Sequence, residues 1–101
     1  MMIKVYEITG KYAITSDSGQ RLYDIIYPRL LRGELVQLDF TWVLVFASPF
    51  VSIAFSQLLK DIPSEKLNEL IEFTYLNADG WNIIQQVMTN AKHYYTQSLK
   101  L

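Results

Sequence analysis

Apolar and polar residues recur along this chain with two different periods, and the switches between them mark its elements. Ile3 to Ile8 carries β-branched and aromatic residues and predicts a strand, closed by a Thr9-Gly10 turn signal. Tyr12 to Thr15 is the expected short hairpin partner of that strand. In the polar loop Thr15-Ser16-Asp17-Ser18-Gly19, either Asp17 or Ser18 is placed to cap a helix. Leu22, Ile25, Ile26 and Leu30 then follow at helical spacing, with Gln20, Arg21 and Asp24 turned from the core. Pro28 is expected to kink or restart this helix, because proline lacks a backbone donor and crowds the preceding turn. Gly33 is expected to end it.

Leu35 to Phe40 predicts a strong strand, central in the sheet. Val43 and Phe46 carry an irregular segment into Ala47-Ser48-Pro49, where serine followed by proline signals a helix start. That helix is expected from Pro49 to about Lys60, ending before Pro63. Ser64 to Leu70 predicts a short helical turn, Ile71 to Leu76 a further strand, and Asn77-Ala78-Asp79-Gly80 a turn or cap. The last helix gathers Ile84, Val87, Met88, Ala91 and Tyr95 on one stripe. The resulting order is β-β-α-β-α-β-α, an α/β sheet with right-handed crossovers in a single domain, residues 1–101.

Composition sharpens this picture in two places. Half of the 101 residues are apolar, 14% are aromatic and only 19% are charged. The large side chains left over either fill an aromatic-rich core or form an exposed contact patch. Nine basic and ten acidic residues give a net charge of −1, without the basic face that phosphate backbones require. No nucleic-acid partner is expected. The twenty residues Phe40 to Leu59 are free of charge, but Pro49 at their centre and Thr41, Ser48, Ser52, Ser56 and Gln57 argue against a bilayer span. The N-terminus lacks the pattern of a signal peptide, so a cytoplasmic location is expected.

Candidate chemistry is sparse. Without cysteine there are no disulfides or thiolates, and His93 is the lone histidine, on the polar side of the last helix. Ser18-Gly19-Gln20 is no phosphate loop, and Ala47-Ser48-Pro49 is no nucleophile elbow. Asp39, at a strand end, is the one carboxylate placed like a site residue, and its plainer role is to bond neighbouring loop amides. No enzyme and no cofactor are expected. The helix from Pro49 says more. Ser52, Ser56, Gln57 and Lys60 form its polar stripe, while apolar residues fill more of its circumference than packing on one sheet face requires. Neighbouring helices cover the excess, or it is a partner or homodimer surface that includes Phe46, Ser48, Pro49, Phe50 and Ile53.

Val-Gln-Leu-Asp-Phe at 36–40, a short apolar loop, and Ala-Ser-Pro-Phe at 47–50 resemble a STAS-like domain family of unknown function in bacteria. That family is related to the STAS domains of anti-sigma factor antagonists, and the likeness runs from about Ser18 to Tyr95. The resemblance implies a mixed β-sheet of about four strands packed with three main helices. It implies a non-catalytic regulatory module that binds a protein partner, such as a histidine-kinase-like ATPase or a second copy. In the antagonist relatives such an ATPase phosphorylates a serine at this helix start, adding about −1.5 to −2 charge to the contact surface. Here Ala47, Ser48, Pro49 and Phe50 replace the relatives' Asp-Ser-Ser-Gly, so proline falls at the switch position. Ser48 remains a phosphorylation or helix-capping candidate, the cap contributing about 1 kcal/mol. The alternative function is small-molecule or nucleotide sensing near the same helix start, with Thr41, Trp42 and Ser48 as contacts.

Overall fold

The computed structural model describes residues 1–99. Its first strand, β1 (Met2–Lys4), is shorter than the residue pattern predicts. The chain turns at Val5 into a one-turn helix, α1 (Tyr6–Thr9). The Val5 carbonyl accepts from the amides of Ile8 (2.9 Å) and Thr9 (3.0 Å), while the Val5 side chain is fully buried. The expected hairpin therefore does not form. β2 (Tyr12–Ala13) instead lies parallel to β4 (Val45–Phe46), more than thirty residues on.

The main sheet has three strands in the order β1-β3-β5, with β3 (Val36–Asp39) central and β5 (Ile71–Thr74) at the far side. Both pairings are parallel, aligning Ile3, Leu38 and Phe73 across the sheet, and Lys4, Asp39 and Thr74 one step further. All strand pairs among the described residues are thus parallel, in place of the mixed sheet the resemblance implies. The alternation Val36-Gln37-Leu38-Asp39-Phe40 has the consequence its period predicts: Val36, Leu38 and Phe40 are buried, Gln37 and Asp39 only partly. On the polar face the Gln37 amide donates to Glu72 at 3.1 Å.

The helices complete the core. α2 (Ser16–Leu31) buries Leu22, Ile26 and Leu30 and passes through Pro28 without restarting. Its cap is Thr15, whose hydroxyl accepts from the Ser18 amide at 3.1 Å; Asp17 and Ser18 lie inside the helix. Gly33, at φ 79°, closes it: the Gly33 amide bonds the Leu30 carbonyl and the Glu34 amide bonds that of Arg29, both at 3.0 Å. α3 (Ser48–Phe55) stops five residues short of Lys60, and Ser56–Lys60 continues as a tighter 3-10 turn. The Ser56 hydroxyl donates to the Ser52 carbonyl and the Gln57 amide to that of Ile53, so side chains compete for the helix's own acceptors where the winding tightens. α4 (Ser64–Leu70) feeds directly into β5, and α5 (Ala78–Leu99) closes the fold. Among the described residues no helix is long and apolar enough to cross a membrane.

Candidate functional site

Because the strands are parallel, their carboxyl ends share one edge, where open α/β sheets commonly carry binding sites. β3 delivers Asp39 there. Its carboxylate accepts from the Thr41 amide at 2.9 Å and from the Thr41 hydroxyl, the loop-bonding role that its position predicts. Those two bonds hold the Asp39 carboxyl below its ordinary value, the hydroxyl bond most and the amide bond next, with Lys4 adding a smaller pull. A depressed carboxylate stabilises the fold above its unfolded-state value, and that contribution disappears as pH falls through the folded one. Removing the hydroxyl by Thr41→Val should move the Asp39 titration upward, as followed by carboxyl-carbon NMR.

The turn after Asp39 is unusual. The Val43 amide bonds the Phe40 carbonyl at 3.0 Å, and the third residue of that turn, Trp42, has φ 69°. Glycine or asparagine is the usual occupant of such a position, since a β-carbon there meets the backbone. A second aromatic, Tyr75 just after β5, has φ 56°. These are the two non-glycine residues with positive φ among those described, and they are 71% and 78% exposed. Asn77 joins the loops that carry them: its side chain donates to the Leu44 carbonyl at 3.2 Å and accepts from the Gly80 amide at 2.8 Å, capping α5. Leu44, Val45 and Tyr12 extend the exposed apolar rim, the last two paired across β2 and β4. Beside it, Lys4, Tyr6, Glu7, Asp39, Thr41 and Trp42 line a cleft of about 310 Å³.

The helix-start residues separate into two groups. Ser48 and Pro49 are exposed, Ile53 is half-buried, but Phe46 is 8% exposed and Phe50 not at all. Phe46 packs on Phe40 with ring centroids 5.7 Å apart, and Phe50 meets Phe55 edge-on at 6.3 Å. Phe46 and Phe50 therefore belong to the core and offer no contact surface. The apolar excess of α3 is covered by α2, which comes close because Gly19 has no side chain: a β-carbon there would lie 2.6 Å from the Phe50 carbonyl oxygen. Ser48 does not cap either. The N-cap is Ala47, and no side chain caps the helix, so the Ser48 hydroxyl is not tied up in that role.

Thr41 and Trp42 both line the cleft, whereas Ser48, the third contact of the ligand alternative, and the helix start it belongs to are not among its walls. Sequence reasoning missed Tyr75, because neither aromatic carries the glycine or asparagine that would have announced a left-handed backbone. His93 lies exposed on α5. Among the described residues, no group of three His, Cys, Asp or Glu side chains is placed to hold a metal ion.

No curated protein and no solved structure matches the chain. A family model described as a STAS-like domain of unknown function matches residues 18–81, well over half the chain. That span runs from the first turn of α2 to the first turn of α5 and includes both Trp42 and Tyr75. The chain belongs to the STAS-like domain family of unknown function.

Proposed function

We propose that the protein is a non-catalytic regulatory module that binds a protein partner through the aromatic rim at the carboxyl ends of its strands. The contact surface comprises Trp42, Leu44 and Tyr75, with the exposed Ser48-Pro49 helix start alongside. The observation that carries this reading is the strained, outward presentation of two large aromatics. Holding a bulky residue in the left-handed region costs about 1–3 kcal/mol, and such strain concentrates at functional sites. Aromatic side chains of this kind supply most hot spots of protein interfaces. A kinase-like ATPase is the partner class, and a second copy of the chain is the competing occupant.

Trp42→Gly separates contact from folding. Glycine accepts the positive φ, so the variant should melt no lower than the parent despite the greater freedom of its unfolded chain. Association should nevertheless fall at least thirtyfold, the loss expected of a hot spot worth about 2 kcal/mol. Light scattering reads self-association, and titration with the ATPase reads the heterologous contact. Undiminished association in a folded variant would reject the rim.

The second reading is ligand sensing, favoured by the cleft beside Trp42. Its rings offer stacking surfaces, and Lys4 sits in register with Asp39 at the sheet edge. A thermal-shift screen with nucleotides tests it: a ligand at a hundred times its dissociation constant adds about 2.7 kcal/mol of stability. No shift with any nucleotide counts against that reading.

A further inference from the structure

A second cavity, of about 230 Å³, opens between α4, β5 and α5 and shares no residue with the rim or the cleft. Its floor is made by Phe55, Leu67 and Ile84, all buried. Phe73 and Trp81 form a wall of crossed rings, their centroids 5.7 Å apart and planes at 75°. No charged residue lines it. Its polar groups are two exposed side-chain amides, Asn68 from α4 and Gln85 from α5. Neither amide has a hydrogen-bond partner within the protein among the described residues.

The placing of Gln85 is informative. Trp81, Ile84, Gln85 and Met88 follow one another at the spacing of a single helix stripe, and Gln85 is the one polar member. An apolar side chain there would extend the stripe across the opening. Protein interiors hold few voids larger than a water molecule, and a dry apolar cavity of about 150 Å³ takes up benzene. The space here suits a somewhat larger single-ring molecule. An ionised group would be stripped of water among uncharged walls, which disfavours it strongly. A neutral hydroxyl or amide at the mouth would instead meet Asn68 or Gln85.

We propose that this cavity is a binding site for a small uncharged molecule with one aromatic ring, seated on the apolar floor, and one hydrogen-bonding group held by Asn68 or Gln85. The site is independent of the proposed protein contact.

Titration of the full chain with p-cresol, followed by NMR, tests it. The Trp81 indole N–H and the Met88 methyl should shift saturably, with half-saturation at or below about 1 mM, within reach of an efficient one-ring ligand. The Trp42 indole N–H, outside the cavity, should stay in place. Benzoate, similar in ring size but anionic, should bind at least tenfold more weakly. Ile71→Phe places a ring inside the cavity and should abolish the p-cresol response in a folded protein; Met88→Phe is the second filling variant, read by Trp81 alone. Absence of a saturable shift at Trp81, equal affinity for benzoate, or undiminished binding in a folded filled variant would each overturn the proposal.

Discussion

Phe50→Asp should leave the protein unfolded at room temperature. Its ring is wholly inside the core, edge-on to Phe55 and beneath the contact between α2 and α3. Truncating a buried phenylalanine costs about 3–5 kcal/mol through lost burial and the cavity left behind. A carboxylate in a core whose buried residues are all apolar adds a desolvation penalty of several kcal/mol more. A domain of this length has only about 5–15 kcal/mol in total, so the substitution removes most or all of it. Circular dichroism with urea titration provides the measurement. Phe50→Ala should retain a cooperative transition at much lower urea, whereas Pro49→Ala, at an exposed site, should remain within about 1 kcal/mol of the parent. A folded Phe50→Asp chain would mean that this helix face is a surface after all.

Gly19→Ala should destabilise the protein, against the rule for helices. Inside a helix alanine is better than glycine by about 1 kcal/mol. Here the new β-carbon would stand 2.6 Å from the Phe50 carbonyl oxygen, 3.1 Å from the Ile53 β-carbon and 3.3 Å from the Ala54 amide nitrogen. Two of those three are backbone atoms, which cannot rotate away, so α2 and α3 must separate. Overpacking of this kind costs about 1–3 kcal/mol, enough to cancel the propensity gain and reverse its sign. The melting temperature should drop by several degrees, since each kcal/mol moves a domain of this size by about 4–8 °C. A rise in melting temperature would show that the two helices are less intimately packed.

These two positions also show what the sequence can and cannot convey. The alternation across Val36 to Phe40 reads directly as a strand with one buried face, because the side-chain period is local. The stripe on α5, the cap at Asn77 and the helix start at Ser48-Pro49 are legible for the same reason. Burial of Phe50 is not, since it depends on Gly19, some thirty residues away in what reads as a polar loop. Likewise, Tyr12 pairs with Val45 in parallel, and two-residue strands carry too little pattern to reveal a distant partner. The sequence puts the candidate contact on the helix and its preceding loop; in the structure Phe46 and Phe50 lie in the core, Ile53 is half-buried, and the exposed part is Ser48-Pro49 with Thr41, Trp42 and Leu44 of the loop. The conformations of Trp42 and Tyr75 are hidden for a further reason. Their left-handed backbone is imposed by the Phe40–Val43 turn and the neighbouring strands, not advertised by residue type.

The rim divides into residues that hold shape and residues that meet solvent. The Asp39 and Asn77 side chains bond loop backbone, and the Thr41 hydroxyl bonds the Asp39 carboxylate, so their replacement should disturb both stability and binding. Trp42 and Tyr75 point outward, so theirs should disturb binding alone.

Photo-crosslinking from single positions makes the most direct comparison. A photoreactive phenylalanine placed at Tyr75 or Leu44 should yield a discrete adduct, either with a partner protein or with a second copy of the chain. The same group at Ser52, between α3 and α5, should yield none. Adducts from Ser52 with none from Tyr75 or Leu44 would contradict the rim as the contact surface and return it to the helix.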